Sequence, residues 1–172
     1  MNDEKYDSRP ETLKHIEAVR NRIDQMLGQL RARKFLHDLS KLEPPERAVF
    51  DEMTPLLKGC TYGSDEYRGF LARMKPALDH HYAENRHHPE HYECGVLSMT
   101  LIDLLEMLAD WKAATERHAD GCLVKSLRHN RTRFNIPTDL FRILCGTAHD
   151  LGWITEHDWV KLIDEEWREN NP

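Results

Sequence analysis

Apolar residues recur every three or four positions along most of the chain, which is the spacing of one face of an α-helix. The first such stretch predicts a helix that begins at about Glu11 or Thr12 and ends at Lys34. Its apolar face is formed by Leu13, Ile16, Val19, Ile23, Met26, Leu27 and Leu30. His15 lies at the margin of that face. No long stretch shows the alternation of a strand, and no internal repeat is visible.

Prolines, glycines and capping residues mark the other elements. Further helices are predicted over about 45–53, 65–85, 99–117, 122–131, 138–149 and 155–169, with loops over 54–63 and 86–97. The expected N-caps are Ser64, Ser98 or Thr100, Thr138, and Thr155. The sequence therefore predicts an all-α, single-domain helical bundle of six to eight helices over residues 11–172, with a flexible lead over residues 1–10.

Composition and charge narrow the class of protein. The chain has 172 residues, 40% hydrophobic and 31% charged, as is typical of a soluble domain. No apolar run has the length of a membrane span, and a net charge of −6 argues against generic binding to nucleic acid. The four cysteines form no CxxC pair, so we expect a reducing, cytoplasmic location.

Histidine is the anomaly, with 11 in the chain and five of them between His80 and His91. Imidazole is a common metal ligand near neutral pH, so a metal site is expected in the run DHHYAENRHHPEHY. We choose His81, which lies one helical turn before Asn85, and His88, whose backbone is stiffened by Pro89. The alternative is a polar loop whose histidines cap helix ends.

Two further segments supply candidate metal ligands. In FLHDLSKLE, adjacent His37 and Asp38 can bind one ion through an imidazole nitrogen and a carboxylate oxygen, although the dipeptide is also common at surfaces. The helix over 101–118 is apolar around most of its circumference, so it is expected to be central. Asp110 and Glu106 share its narrow polar strip with Asp103, and that strip either is a solvated acidic face or lines a metal cavity.

The order of these segments resembles the HD-domain superfamily of metal-dependent phosphohydrolases, in which His, His-Asp and Asp ligands lie on a helical bundle. In that resemblance, which covers most of residues 12–118, His15, His37, Asp38 and Asp110 hold one ion, and His81 and His88 lie at or near a second. More closely, the segments TLKHI, HDLSKLE, ALDHHYAENRHHPEHY and DLLEMLADWKAATERH resemble an uncharacterised family found largely in bacteriophages and bacteria.

The resemblance has departures. Lys41 stands where mononuclear nucleotidases of the superfamily often place a glutamate, and the Gly-Tyr-Pro signature of the cyclic-dinucleotide class is absent. HDLSK is similar to the HDxGK of two-metal members, which include diiron oxygenases such as inositol oxygenase, whose lysine meets the substrate.

The resemblance implies hydrolysis of a phosphate ester of a small molecule, a nucleotide first, by water activated on one or two divalent ions (Mn, Ni, Co, Fe or Zn, with Mg as a further option). Lys41, Arg86 and Lys112 are candidates to contact phosphate, and Ser126 and Asn130 to contact a base or sugar. Lys41, Glu84 and Glu106 are the candidate catalytic residues, with either glutamate as proton shuttle.

Two other functions stay open at this stage. One is a diiron oxygenase on the same ligands, and the other is a non-catalytic protein that binds a nucleotide or a host factor. In each case we expect no membrane partner and a cytoplasmic location, which is the host cytoplasm if a phage encodes the chain. A homo-oligomer is an additional expectation.

Overall fold

The structure is a computed structural model that describes residues 6–59, 64–117 and 121–170, and in those residues it contains helices and no strand. Seven α-helices are present in that part of the chain, so the predicted all-α class is confirmed. They are α1 (Arg9–Leu36), α2 (Glu46–Gly59), α3 (Asp65–Glu84), α4 (Leu101–Thr115), α5 (Leu123–Arg133), α6 (Thr138–Asp150) and α7 (Glu156–Asn170). Short 3-10 turns cover Leu39–Leu42, Pro89–His91 and Gly95–Ser98.

The chain divides into two units, residues 1–37 and residues 38–172. The first is helix α1, and the second holds all the other helices. The predicted organisation, a lead over residues 1–10 and one domain over residues 11–172, stays a prediction, and residues 1–5 lie outside the described part of the chain. None of the described helices combines the length and the apolar composition that crossing a bilayer requires.

Helix α1 begins two to three residues before its predicted start, because Pro10 lies in its first turn, where proline is tolerated. The helix ends at Leu36, and the C-cap residue His37 still donates its backbone N–H to the carbonyl of Arg33. Asp38 then adopts a left-handed backbone conformation with φ of 58°, which short polar residues such as Asp adopt more readily than most others. This local geometry turns the chain out of the helix at Asp38.

The hydrophobic core of the second unit is built around α4, as the apolar circumference of that helix predicts. Leu104, Met107, Leu108 and Trp111 are buried on α4 and pack with buried residues of α5 and α6. The N-cap of the helix is Thr100. Its hydroxyl accepts from the backbone N–H of Asp103, while the Asp103 carboxylate accepts from the backbone N–H of Thr100. This capping box fixes the start of the central helix.

Helix α2 corrects one predicted boundary. A loop was expected over 54–63, but the helix continues to Gly59 with Pro55 inside it, and residues 60–63 lie outside the described part of the chain. Proline removes one helical hydrogen bond. The amphipathic pattern compensates, because Met53 is buried and Leu57 half-buried in the helix that packs against α3.

Helix α6 corrects a predicted cap. Thr138 is the first helical residue, and the N-cap is Pro137, which has no side-chain hydrogen bond to offer. By contrast, Thr155 and Asp158 exchange side-chain and backbone hydrogen bonds at the start of α7, which confirms Thr155 as a cap. Thr100, rather than Ser98, starts α4.

Candidate metal centre

Four side chains of the second unit bring their donor atoms together. They are Asp38, His81, His87 and His88, and one ligand atom of each lies within 4.8 Å of the ligand atoms of the other three. His81 and His87 are buried, and Asp38 and His88 are partly buried. Three imidazoles and one carboxylate form a donor set that suits Zn²⁺, Fe²⁺, Mn²⁺, Co²⁺ or Ni²⁺.

The end of helix α3 explains how three histidines meet. The helix stops at Glu84, and Asn85 caps it by donating both its backbone N–H and its side-chain amide to the carbonyl of His81. The chain then turns back, so that His88 N–H donates to the carbonyl of Asn85. His88 has the extended backbone that a following proline favours, and Pro89 is buried. This turn places His87 and His88 next to His81.

Asp38 enters the cluster from the turn between α1 and the 3-10 turn Leu39–Leu42. Its Oδ1 lies 3.3 Å from Nε2 of His81 and 3.4 Å from Nε2 of His87. Its other oxygen, Oδ2, lies 2.5 Å from the ammonium of Lys41. Lys41 also lies 5.5 Å from the centre of the Phe50 ring. The carboxylate therefore presents one oxygen to the histidines and the other to a cation.

The distances between donors match the edges of a metal coordination sphere. With metal–nitrogen bonds of about 2.0–2.1 Å, neighbouring ligand atoms lie about 3.3–3.4 Å apart at a tetrahedral angle and about 2.9 Å apart at a right angle. Nε2 of His81 and Nε2 of His88 are 2.9 Å apart, and the two distances to Asp38 are 3.3 and 3.4 Å. These three distances are those of donors that can share one ion, and the remaining pairs lie within 4.8 Å.

Two of the three histidines have a glutamate carboxylate close to Nδ1, the ring nitrogen other than the Nε2 that faces Asp38. Nδ1 of His81 lies 2.9 Å from Oε2 of Glu46, and Nδ1 of His87 lies 3.3 Å from Oε1 of Glu106. Glu46 is fully buried, and the Glu106 side chain is nearly so. A metal-ligating histidine typically donates its second ring N–H to a carboxylate or a carbonyl, which aims the other nitrogen at the ion. Both histidines have a carboxylate oxygen near this second nitrogen.

The charge states suit metal binding at neutral pH. Burial, together with neighbouring His87 and His81, lowers the pKa of His88 to about 3, so its imidazole is neutral. Burial raises the pKa of Asp38, but its close contacts with the rings of His81 and His87 and the charge of Lys41 outweigh this effect and hold that pKa well below its usual range. A neutral imidazole and an ionised carboxylate are the forms that bind metal.

The predicted ligands divide between the two units. His15 lies on the exposed surface of α1 and His37 ends that helix, so both belong to the first unit. Their predicted part in the site stays a prediction. Asp38, His81 and His88 come together as donors, and a carboxylate oxygen of Asp110 lies within 4.8 Å of one of Asp38.

Arg86, a predicted phosphate contact, is engaged by a carboxylate. Its Nε and one terminal nitrogen each donate to Asp103 at 3.2 Å, and the hydroxyl of Tyr92 donates to the same carboxylate at 2.8 Å. Asp103 is fully buried, so the acidic strip predicted on α4 is not a solvated face at this position. The pair joins the turn after α3 to the start of α4.

The other predicted substrate and catalytic residues lie at several places. Lys112 pairs with Glu116 at 2.7 Å and borders a cavity of about 300 Å³, whose described lining includes none of the four donors. Asn130 is buried and donates to Ser126 at 3.3 Å within α5. Glu84 is exposed at the end of α3. Their predicted roles remain predictions.

Sequence reasoning missed two residues of the centre. His88 was predicted as the ligand of the second His-His pair and His87 was not, but the turn after α3 places both in the cluster. The adjacency of the two histidines in the sequence already allows this. Glu46 was not singled out at all, because nothing local to PPERAVF distinguishes a buried glutamate from an exposed one. Its partners lie 34 and 35 positions away in the chain.

The fold and this cluster define an all-helical protein with a candidate metal centre. The model of a family of unknown function, DUF5662, matches residues 4–142, a span that includes every residue of the centre. The chain belongs to that family. No curated protein and no solved structure matches the chain.

Proposed function

We propose that the chain is a metal-dependent phosphohydrolase that cleaves a phosphate ester of a small molecule, with a nucleotide as the first substrate class to test. The observation that carries the proposal is the convergence of Asp38 Oδ1 with the Nε2 atoms of His81, His87 and His88 at coordination distances. The choice of phosphoryl chemistry rests on the resemblance of the order of ligands along the chain to HD-domain phosphohydrolases.

A bound divalent transition metal supplies a water of lowered pKa, and hence a hydroxide nucleophile near neutral pH. The chain supplies the geometry for it. Asp38 and the three histidines would hold the ion, and the carboxylates of Glu46 and Glu106 would keep two of the imidazoles oriented toward it. Lys41 places a positive charge beside Asp38, where it is available to a phosphate oxygen.

Two predicted roles fit their surroundings differently. Glu106 contacts His87, so its observed environment favours positioning of that histidine over proton transfer. Glu84 is exposed, and it remains the candidate proton shuttle of the two glutamates. Asp110, which has a carboxylate oxygen within 4.8 Å of one of Asp38, would help to hold a further ion. The assignment of His15 and His37 as ligands stays a prediction from the sequence. A cytoplasmic location is proposed with it.

The test is phosphate release by protein stripped with a chelator and reloaded separately with Mn²⁺, Co²⁺, Ni²⁺, Zn²⁺ or Fe²⁺. Nucleoside monophosphates, nucleoside triphosphates and cyclic nucleotides are offered as substrates. We expect turnover that depends on the metal and falls by more than about 100-fold in His81→Ala, beyond what losing an outer-sphere group costs. The exposed His157→Ala variant is the matched control and keeps full activity.

Other outcomes identify the competing functions. Tight iron binding with oxygen consumption and no phosphate release contradicts the proposal in favour of a diiron oxygenase. Nucleotide binding that is insensitive to metal removal, without turnover, contradicts it in favour of a binding protein.

A further inference from the structure

We propose that Glu46 is a positioning residue that selects His81 as the metal ligand of the first His-His pair and uses His80 as its anchor. The inference rests on the metal centre of the proposed function and deepens it. It concerns a residue on α2 that is fully buried and contacts both members of the pair. Its Oε1 lies 2.8 Å from Nδ1 of His80, and its Oε2 lies 2.9 Å from Nδ1 of His81.

The surroundings of His81 Nδ1 determine where its ring proton resides. Three groups are near this nitrogen: Glu46 Oε2 at 2.9 Å, the amide nitrogen of Asn85 at 3.0 Å and Ser40 Oγ at 3.2 Å. The Asn85 amide already has an oxygen acceptor for each of its two protons, the hydroxyl of Ser40 and the carbonyl of His81, both at 2.8 Å. The amide therefore has no proton left for Nδ1.

An ionised carboxylate can only accept a hydrogen bond. Glu46 is the closest and most strongly polar neighbour, so Nδ1 of His81 carries the proton and donates it to Oε2. The lone pair is then on Nε2, the atom that faces Asp38 at 3.3 Å and His88 at 2.9 Å. The opposite tautomer would set two acceptors, Nδ1 and Oε2 of the fully buried Glu46, against each other at 2.9 Å. The tautomer with the proton on Nδ1 leaves only the longer 3.3 Å contact between Nε2 and Asp38, where an ion would be held. Glu46 thus directs the metal-binding atom of His81 into the centre.

The anchor explains why a histidine stands at position 80. Burying a carboxylate is unfavourable unless hydrogen bonds compensate for the lost water. His80 satisfies Oε1 from a partly exposed position, with 38% of its side chain accessible, and leaves Oε2 to His81. Glu46 also lies in the first turn of α2, where the helix dipole favours a negative charge. The two histidines therefore have different roles: His80 anchors the Glu46 carboxylate, and His81 is the ligand of the ion.

The test compares Glu46→Gln and His80→Gln with wild type and with Glu52→Gln, an exposed glutamate of the same helix. Three readouts are taken: side-chain ¹H–¹⁵N NMR of the metal-free protein to read the His81 tautomer, titration with Co²⁺ followed by absorbance, and thermal unfolding. The His81 signals are assigned by their loss in His81→Gln.

Wild type is expected to show His81 protonated on Nδ1. In Glu46→Gln we expect a mixture of tautomers and a Co²⁺ affinity weaker by about 10–100-fold, the usual effect of changing an outer-sphere partner. In His80→Gln the loss is expected to be smaller, a few-fold, and Glu52→Gln is expected to match wild type. If Glu46→Gln does not fold, the wild-type tautomer and the His80→Gln affinity decide the question.

Three results overturn the inference about Glu46 while leaving the metal centre in place. One is wild-type His81 protonated on Nε2, and another is a wild-type Co²⁺ affinity in both Glu46→Gln and His80→Gln. The third is a fall in unfolding temperature with tautomer and affinity unchanged, which shows a purely structural role. A wild-type chain that binds no Co²⁺ overturns the metal centre together with this inference. Co²⁺ binding without phosphate release contradicts only the proposed hydrolysis.

Discussion

Three buried or partly buried carboxylates of the second unit are matched by specific partners. Glu46 is held by two histidines, Asp103 by Arg86, Tyr92 and Thr100, and Asp38 by Lys41. Removing such a partner leaves a buried charge uncompensated, which costs more than the loss of a surface ion pair. Substitutions of these residues and their partners therefore lead to separate predictions for stability and for metal binding.

At Asp103 we expect a contribution to stability that depends on pH. Burial raises the pKa of this carboxyl, but hydrogen bonds from Arg86, Thr100 and Tyr92 outweigh it and hold that pKa well below its usual range. The folded state therefore binds fewer protons than the unfolded state near pH 4, and this stability is present above the unfolded pKa of about 3.9 and lost as the pH falls below it. Asp103→Asn should lower the free energy of unfolding by about 1–3 kcal/mol at pH 7.

Urea unfolding at pH 7 and at pH 3 checks this expectation. The difference between wild type and Asp103→Asn should shrink at the lower pH, whereas the exposed Asp164→Asn should differ little from wild type at either pH. If the difference in the free energy of unfolding between wild type and Asp103→Asn is the same at both pH values, then the hydrogen-bond geometry of Asp103, rather than its charge, stabilises the fold.

Several site residues could be predicted from local sequence, and others could not. His81 and His88 stand out because histidines are crowded there, and Asp38 because it follows His37. Glu46 could not be found, because its burial is decided by the packing of α2 against α3 rather than by its neighbours in sequence. Arg86 was assigned to phosphate because its buried partner Asp103 lies 17 positions away.

Helix ends, rather than helix middles, carry much of the centre. Asp38 follows the end of α1, Glu46 begins α2, and His87 and His88 follow the end of α3. Chain turns allow side chains from different elements to face one point, which a single helical face cannot do with adjacent residues. Over the described residues, the predicted helices match the observed α-helices in number and are close in extent. The end of α2 was misjudged because tertiary packing carries the helix past Pro55.

The cap of α4 gives a prediction for an element. Thr100→Ala removes the hydroxyl that accepts from Asp103 N–H and donates to its carboxylate. We expect the free energy of unfolding to fall by about 1–2 kcal/mol. Thr132→Ala, at an exposed helical threonine of α5, should be neutral or slightly stabilising. Chemical denaturation of both variants provides the measurement, and an equal loss in the two would contradict a specific capping role.

Candidate metal ligands that are far apart in sequence meet in the second unit through the order of its elements. The all-helical class followed from periodicity alone, because hydrophobic spacing is a property of each segment. The meeting of Asp38 with residues 81–88 required the packing of α2 against α3 and the turn after α3. The division into two units at Asp38 has no counterpart in the composition of the sequence, since it falls inside the His-Asp doublet.

Metal content is the most direct test of the central claim, that Asp38, His81, His87 and His88 hold an ion. Elemental mass spectrometry is performed on untagged wild type, His87→Ala, Asp38→Asn and the exposed control His157→Ala, with circular dichroism to confirm folding. We predict at least about one equivalent of a transition metal in wild type and in His157→Ala, and a loss of most of it in the other two. A folded wild-type chain that neither retains nor takes up Mn, Co, Ni, Zn or Fe would contradict the account.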